Sequence, residues 1–490
     1  MSDGRVIGID VGTSSIKAIA VDSAGGVVGT AERGYPVSMP HSGWSEQDPA
    51  LWWEACESAL AELGAERCDG IGLSGQMHGL VALDAQDAPL RPAILWNDGR
   101  SQPQVDALLG EAGVERFVAL SGNRPLAGFT APKLRWLAEH EPGLHGRIRR
   151  IMLPKDYVRL RLTGEAACEV TDASGTLLLD VERRRWSEEL CELFAADPDW
   201  LPPVHESAAV VGHTGAGVPV AAGAGDQAAG ALGVGAIDET GPASLVLGTS
   251  GVIFAAQNGY APDPEGRLHE FCHALAGRWH VMGVILAAAG ALAWLDGAVG
   301  HGDGIPTLLR EAAEWPPGCE GLLFAPYLSG ERTPHPDADV RGAFVGLGLR
   351  HDRGAMTRAV LEGVAHALRD GLDLIHAAGA RPAAARVSGG GARSELWCEI
   401  LAAMLELPLE HTASASAGAA YGAALLGGVA GGMFEDPAAA ARATVRVTAE
   451  VAPDPALVEA YAAQRERYRA LYPALVPFKT PRSVAAEAAD

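Results

Sequence analysis

Val6-Ile7-Gly8-Ile9-Asp10 runs directly into Gly12-Thr13-Ser14, and a second Gly-Thr-Ser follows near the middle of the chain. There, Ser244-Leu245-Val246-Leu247 precedes Gly248-Thr249-Ser250-Gly251. Both copies predict a strand, a tight turn and another strand. Glycine permits backbone angles at which successive N–H groups converge on an anion, and neighbouring hydroxyls add donors. Either turn alone is typical of an ordinary hairpin, but the pair predicts two similar lobes that bind a polyphosphate between them.

The bulk composition excludes several kinds of partner. The chain has 490 residues, is 48% hydrophobic and 20% charged, and carries a formal net charge of −23. Such a chain can bury large cores, and its negative charge opposes binding to nucleic acid or to anionic membranes. An anionic ligand would therefore need local backbone donors, a few cations or Mg²⁺.

The seven cysteines are scattered and odd in number, and no two form Cys-x-x-Cys. This pattern predicts free thiols in a reducing compartment. The first strand begins within a few residues of the start, which leaves no room for a signal peptide. The apolar stretch Met282–Leu295 is shorter than the ~20 residues that a membrane-spanning helix needs. We expect a cytoplasmic protein with no membrane partner.

Apolar periodicity and turn residues predict the other elements. We expect a helix over Ala50–Leu63 behind the N-cap Asp48, a buried strand Gly70–Ser74, a strand Ala93–Leu95, and a strand before Asp226. The best candidate for a crossing between lobes is Gly241-Pro242. Further on, we expect a helix Met356–Ile375, a strand Ala385–Ser388, a helix Ser394–Leu405 and a packing helix Leu457–Leu471.

Asp10 ends the first strand, two residues before the first glycine turn. A carboxylate there can hold Mg²⁺ close to phosphates, although an Asp that caps its own turn is the plainer interpretation. Lys17 could reach a phosphate or could be a solvated lysine on a strand.

Asp226 stands among Gly, Ala and Val residues at a predicted start of a helix. In phosphoryl transfer the acceptor hydroxyl loses its proton, and an aspartate commonly accepts it. The position suits an ordinary helix N-cap equally well.

Two polar groups follow predicted strands. Met77-His78 precedes Gly79, so His78 could face a cleft or be a structural histidine. Asn97, Asp98 and Arg100 suit a polyhydroxylated substrate, or form a surface turn with an internal Asp–Arg pair. Gly389-Gly390-Gly391 permits close approach of a nucleoside or tight helix packing. The loop Ser329–His335 has no role that we can assign.

Taken together, these segments resemble the FGGY carbohydrate kinases over nearly the whole chain. The motifs that carry the resemblance are Gly8–Ser14, Trp44–Pro49, Gly75–Gly79, Leu95–Arg100, Leu153–Tyr157, Gly248–Gly251, Leu328–His335 and Gly389–Ser394. The resemblance implies an α/β fold of two actin-like (ribonuclease-H-like) ATPase lobes with an interlobe cleft. We expect lobes at residues 1–237 and 238–476, and a frayed tail at 477–490.

The resemblance also implies ATP-dependent phosphorylation of D-xylulose at O5. Glycerol kinases of the family carry an Arg-Glu pair where this chain has Met77-His78, which favours a ketopentose. The implied roles are general base and sugar contact for Asp226, Mg²⁺ and catalysis for Asp10, and sugar binding for Met77, His78, Asn97, Asp98 and Gln227. The residues that the resemblance implies for nucleotide binding are Thr13, Ser14, Lys17, Gly248, Thr249, Gly390, Gly391 and Ser394.

Gln227 stands where related sugar kinases often have Asn, which leaves the sugar open. A kinase of another ketose or polyol is the first alternative. The second is an actin- or chaperone-like ATPase, which would not need the Met77-His78 and Asn97-Asp98 clusters. A homodimer is expected from the resemblance alone.

Overall fold

The computed structural model describes residues 4–479, which form 24 strands and 18 α-helices. The strands are β1 Arg5–Val11, β2 Ser15–Asp22, β3 Val27–Gly34, β4 Glu46–Gln47, β5 Gly70–Gly75, β6 Val81–Leu83, β7 Ala93–Ile94, β8 Arg150–Met152, β9 Cys168–Glu169, β10 Leu179–Asp180, β11 Arg185–Trp186, β12 Val204–His205, β13 Val210–His213, β14 Pro219–Ala221, β15 Ala224–Gly225, β16 Pro242–Leu247, β17 Gly251–Gln257, β18 His269–Cys272, β19 Trp279–Ile285, β20 Leu323–Ala325, β21 Ala343–Val345, β22 Ala384–Ser388, β23 Leu409–Thr412 and β24 Val447–Val451. The helices are α1 Pro49–Leu63, α2 Gln102–Ala112, α3 Val114–Ser121, α4 Thr130–His140, α5 Pro142–His145, α6 Pro154–Thr163, α7 Val170–Ser174, α8 Glu188–Leu193, α9 Asp226–Gly233, α10 Ala289–Val299, α11 Ile305–Ala313, α12 Arg353–Ala377, α13 Glu395–Leu405, α14 Ala419–Ala430, α15 Pro437–Thr444, α16 Pro455–Ala462, α17 Arg465–Arg469 and α18 Leu471–Leu475.

The chain folds into two compact units that are discontinuous in sequence. Among the described residues, the first comprises residues 4–237, Ala256–His280 and Ala417–Arg446, and the second comprises Asp238–Ala255, Val281–Ser416 and residues 447–479. Ile237 ends the first segment of the first unit. The lobe bounds of 1–237 and 238–476 stay a prediction. The predicted frayed tail beyond residue 479 lies outside the described residues.

The sheet of the first unit has the order β13-β14-β5-β1-β2-β3, and β15 also pairs with β5. β1 runs antiparallel to β2 and parallel to β5. Asp10 pairs with Ser74 across one ladder, and Gly225 pairs with Gly75 across the next. Because the carboxyl ends of parallel strands meet at one edge, the residues after β1, β5 and β15 come together there.

Helix α14 lies unusually close to this sheet. A Cβ atom at Gly8 would stand 1.9 Å from the carbonyl oxygen of Ala420, and one at Gly72 would stand 1.9 Å from that of Ala423. Only glycine permits backbones to approach so closely. These strand glycines therefore fix the packing of helix on sheet beneath the site.

The sheet of the second unit contains β19-β17-β16-β22-β23-β24 in that order. β16 runs antiparallel to β17 and parallel to β22, as β1 does to β2 and β5. Each Gly-Thr-Ser turn thus connects the two strands of a hairpin, and the two hairpins occupy equivalent places in their sheets. The prediction of a strand, turn and strand repeated in each half is confirmed.

Several local predictions hold, and one does not. Asp48 caps α1 and accepts a hydrogen bond from the N–H of Ala50, and Ser394 caps α13. The helix predicted over Leu457–Leu471 is wrong as a single element, since α16, α17 and α18 divide that stretch. All seven cysteines are buried and unpaired, as predicted. Within residues 4–479, no helix has the length and apolar character needed to cross a membrane.

Candidate active site

Asp226 is the first residue of α9 and follows directly on β15. Gly225 is the N-cap, and it contributes no side-chain cap, so the interpretation of Asp226 as an N-cap is wrong. Burial, and next the charge of Asp10, raise the pKa of Asp226 to about 7, while hydrogen bonds from Gln227 oppose the shift. The Gln227 side-chain amide lies 3.4 Å from Asp226 Oδ1. A carboxyl with that pKa is suited to accept a proton near neutral pH.

Asp10 lies at the neighbouring strand end. Its Oδ1 accepts a hydrogen bond of 2.7 Å from the hydroxyl of Ser74. Burial raises the pKa of Asp10, against the lowering effects of that bond and of Lys17, its partner on β2. Asp10 and Asp226 are 216 residues apart in the sequence, yet they lie close enough in the structure for their charges to interact. Only the family resemblance had assigned both of them to one site.

A buried ionic cluster supports the segment before Asp226. The N–H of Gly225 donates to Thr171 Oγ1 at 2.8 Å, and that hydroxyl donates to Glu169 Oε1 at 2.9 Å. Lys155 lies 3.2 Å from Glu169 and 3.0 Å from Asp172, and all three side chains are fully buried. The Leu153–Tyr157 motif thus supports the site indirectly, because its Lys155 pairs with Glu169, which is bonded through Thr171 to the residue before Asp226.

Met77 and His78 follow β5 and are confined by two glycines. A Cβ at Gly225 would stand 2.8 Å from Met77 Cγ, and a Cβ at Gly175 would stand 2.6 Å from two ring atoms of His78. Larger residues at either position would displace the side chains predicted to bind the sugar. The peptide before Asp226 and the Met77 side chain therefore lie in direct contact.

His78 is held from several sides. Its backbone has φ of 69°, a left-handed conformation that is uncommon outside glycine. The carbonyl of His78 accepts bonds from Thr130 Oγ1 at 3.1 Å and Lys133 Nζ at 2.8 Å, and its Nδ1 lies 2.7 Å from Gly175 O. Its ring centroid is 4.4 Å from that of Phe129. These contacts fix the ring, since they involve both its backbone and its imidazole.

Gly175, Phe129 and Lys133 were not predicted from the sequence as residues of this site. Burial lowers the pKa of Lys133 to about 7, although its ammonium also donates to Gly128 O at 2.8 Å. A lysine among apolar residues of an amphipathic helix was the available signal, because such a lysine usually has a partner.

Asp98 and Asn97 differ in their surroundings. Asp98 is buried, and its carboxylate accepts from the N–H of Ser45 at 2.6 Å and from the Arg100 guanidinium at 2.7 Å. Arg100 also pairs with Glu46 at 2.7 Å. The internal Asp–Arg pair is therefore present, in a buried network rather than a surface turn. Asn97 is exposed, and sugar binding by either residue stays a prediction.

At the first glycine turn, Thr13 Oγ1 donates to Gln76 Oε1 at 3.3 Å and accepts from Trp96 Nε1 at 3.0 Å. Ser14 is exposed, and Lys17 is half-buried. The hydroxyl of Thr13 is thus occupied by protein contacts, so the donors left for an anion at this turn are backbone N–H groups and the exposed Ser14 hydroxyl.

The second unit contains the remaining predicted nucleotide residues. Thr249 is exposed, and its carbonyl accepts from the N–H of Ala288 at 2.8 Å. Gly389 has φ of 88°, and a Cβ there would stand 2.6 Å from Leu247 O. Gly391 packs on Trp397, whereas Gly390 is exposed. Both interpretations of the triple glycine are therefore compatible with the packing, and nucleotide contacts by Gly248, Gly390 and Ser394 stay predictions.

The fold and these residues define a class. The models of the N-terminal and C-terminal domains of the FGGY family of carbohydrate kinases match residues 5–233 and 243–431. The chain belongs to this family and is an ATP-dependent sugar kinase with the family's two-domain α/β fold.

Particular relatives narrow the comparison. A xylulose kinase of Escherichia coli is 45% identical over 409 residues, which cover 81% of this chain and 84% of that protein. The crystal structure of a xyloylose kinase from Brucella ovis has 44% identity and a TM-score of 0.92, with 97% of this chain and 100% of that chain covered. A xylulose kinase from Rhodospirillum rubrum has 34% identity and a TM-score of 0.89, with coverages of 97% and 99%.

Proposed function

We propose that this protein transfers the γ-phosphoryl group of ATP to O5 of D-xylulose, with Asp226 as the general base. The names of its relatives support the sugar, and the family supports ATP. The observation that carries the role of Asp226 is its pKa of about 7 at a strand end that also contacts Met77. A base with this pKa is ionised in part at neutral pH and still accepts a proton readily.

The chemical step follows from these positions. Asp226 accepts the proton of the O5 hydroxyl as that oxygen forms a bond to the γ-phosphorus. The bond between this phosphorus and the bridging oxygen breaks, and ADP leaves with the electron pair. His78 and Met77 orient the ketose, since their own positions are fixed by Gly175, Lys133 and Gly225. Positioning and charge stabilisation dominate such reactions.

The residues present fit Mg²⁺. Asp10 and Asp226 are half-buried carboxylates, and the charge of Asp10 raises the pKa of Asp226. A cation between them would relieve that repulsion. Within residues 4–479, no three acidic, histidine or cysteine side chains gather as a metal site. Mg²⁺ is commonly held by one or two carboxylates together with phosphates and water. Asp10 would hold it here, and the ion would neutralise charge on the phosphates.

The test is a coupled ADP assay with Asp226→Asn and a panel of ketoses and polyols. We expect turnover to fall by at least ~100-fold in the variant, because the proton acceptor is lost. Asp436→Asn is the matched control, since it alters another carboxylate at a helix start, which caps α15 by accepting from Ala439 N–H at 2.7 Å. Near wild-type turnover of Asp226→Asn would exclude the base.

The sugar panel decides between the alternatives. D-xylulose should give the highest kcat/KM. A higher value for another ketose or a polyol would replace the substrate, and ATP consumption without any sugar would favour an ATPase.

A further inference from the structure

Buried side chains hold the backbone of the first glycine turn from one side. Gly12 O accepts a hydrogen bond from the Tyr35 hydroxyl at 2.7 Å and a longer one from Gln76 Nε2 at 3.4 Å. Thr13 O accepts one from Gln47 Nε2 at 2.7 Å. Two successive carbonyls of the turn are therefore tied to the interior of the first unit. We name Tyr35, Gln47, Trp52 and Gln76 the turn brace.

The amide of Gln47 has a defined orientation. Trp52 Nε1, which can only donate, lies 3.0 Å from Gln47 Oε1, and Gln76 Nε2 donates to the same oxygen at 3.2 Å. The atom facing Trp52 must therefore be the oxygen, which directs the NH₂ group to Thr13 O and to Pro36 O at 3.1 Å. Trp52 thus acts on the turn through Gln47.

The orientation of the carbonyls determines that of the N–H groups. In a trans peptide the C=O and N–H bonds point in opposite directions across one plane. Since Gly12 O and Thr13 O face the brace, the N–H groups of Thr13 and Ser14 face away from it. The Thr13 hydroxyl already donates to Gln76, so the turn offers these two N–H groups together with the exposed hydroxyl of Ser14.

We propose that Tyr35 and Gln47 are positioning residues that orient the Thr13 and Ser14 N–H groups toward the phosphates of the bound nucleotide. The proposal rests on the proposed function, in which ATP is the phosphoryl donor. It gives a role to the Trp44–Pro49 motif, which contains Gln47. Gln47 is 1% exposed and Trp52 is 0% exposed, so water cannot readily take the place of a lost brace donor there.

Loss of the Tyr35 hydroxyl leaves the half-buried Gly12 O with only its longer bond from Gln76, at 3.4 Å, and loss of the Gln47 amide removes the side-chain donor to Thr13 O. The peptide then gains by rotating toward another donor or toward water, and the paired N–H group turns with it. Phosphate binding should suffer more than binding of the uncharged nucleoside, because only the phosphates would meet these N–H groups.

The experiment compares Tyr35→Phe and Gln47→Met with wild type by calorimetry. The probes are a non-hydrolysable ATP analogue with Mg²⁺, adenosine, and D-xylulose. Each variant should bind the triphosphate about fivefold to tenfold more weakly, the scale of one lost hydrogen bond. Affinities for adenosine and for the sugar should stay within about twofold of wild type.

Tyr421→Phe is the matched control. Tyr421 lies in the same unit, is also buried, and its hydroxyl donates to Gly25 O at 2.8 Å, at the hairpin turn between β2 and β3. It should lower thermal stability as Tyr35→Phe does and leave triphosphate affinity unchanged. This control separates loss of a buried hydroxyl from loss of the brace.

Two results would overturn the proposal: unchanged triphosphate affinity in both brace variants, or equal weakening of triphosphate and adenosine. Tyr35→Phe removes a single oxygen atom, so it decides the matter if Gln47→Met does not fold. Failure of the proposed function gives a different signature. A wild-type protein that binds the triphosphate but does not phosphorylate D-xylulose would overturn the sugar and leave the comparison of variants intact.

Discussion

The two Gly-Thr-Ser turns have the same residues, but different groups hold them. In the first turn, the side chains of Tyr35 and Gln47 donate to the carbonyls of Gly12 and Thr13. In the second, backbone N–H groups at the start of α10 do so. Thr249 O accepts from Ala288 at 2.8 Å and from Gly290 at 3.1 Å, and Gly248 O accepts from Ala289 at 2.9 Å. In both turns the carbonyls of the Gly and Thr residues accept hydrogen bonds on one side of the turn. The N–H groups of the same peptide planes therefore point to the opposite side.

A second difference concerns charge. Asp10 stands three residues before Thr13, and the equivalent residue before Thr249 is Val246. The first turn therefore has a half-buried carboxylate beside it, and the second has an apolar side chain. If both turns bind phosphate, as proposed, this difference predicts that the acid–base and metal roles depend on the first turn more than on the second.

The largest expected effect comes from removing that difference in charge. Asp10→Asn keeps the size of the side chain and should lower kcat by about 100-fold, because a preorganised charge near the phosphates is lost. Folding should not suffer above pH 7. Burial raises the pKa of Asp10, so its ionised form is unfavourable in the folded state there, and the neutral amide removes that cost.

The matched control for this variant is Val246→Thr at the second turn. It should leave kcat within about threefold of wild type, since no charge is altered. Equal losses from the two substitutions would remove the functional difference between the turns. Thermal unfolding at pH 8 checks that Asp10→Asn remains folded.

The second prediction alters the backbone support of the second turn. A Cβ at Gly290 would stand 2.8 Å from Thr249 O, so Gly290→Ala should displace that carbonyl and its hydrogen bonds. We expect the KM for ATP to rise about tenfold, on the scale of one or two lost hydrogen bonds, while the KM for the sugar changes little.

Gly297→Ala is the control, because Gly297 lies in the same helix and a Cβ there meets nothing within 4 Å. That change should stabilise α10 slightly and leave both KM values unaltered. A normal KM for ATP in Gly290→Ala would mean that the second turn does not need its backbone support.

Sequence patterns predicted what depends on neighbours along the chain. The two hairpins, α1 behind Asp48 and α13 behind Ser394 follow from local turn and capping residues. The contacts of the C-terminal segment, which was predicted as one helix, involve residues distant in the chain. Arg465 and Arg469 both pair with Asp370, at 2.6 and 3.0 Å, and their segment forms the separate helix α17.

The roles of the candidate site residues stay predictions, but several of those residues could be selected from the sequence. Asp10, Asp226 and His78 stood out because polar residues followed apolar strands. The contacts of His78 could not be predicted from local sequence patterns, because Gly175, Phe129 and Lys133 lie in distant parts of the sequence. The pairing of Asp98 with Arg100 was one interpretation of the sequence, but its burial and its bond from the N–H of Ser45 depend on residues distant in the chain.

The smallest expected effect is a displacement of the acidic limb of the pH profile. Asp226 must be ionised to accept a proton, so kcat/KM of the free enzyme should fall about tenfold per pH unit below about pH 7. The charge of Asp10 raises the pKa of Asp226, and hydrogen bonds from Gln227 lower it. Asp10→Asn should therefore move the limb to lower pH, and Gln227→Met should move it to higher pH.

Each displacement should be less than about one pH unit, since burial is the largest cause of the raised pKa and neither variant removes it. The opposite signs are the internal control, because a general loss of activity cannot move the limb in two directions. Displacement of both variants in the same direction would show that the limb reports a group other than Asp226. It would also remove the argument that only the first turn is coupled to a titrating base.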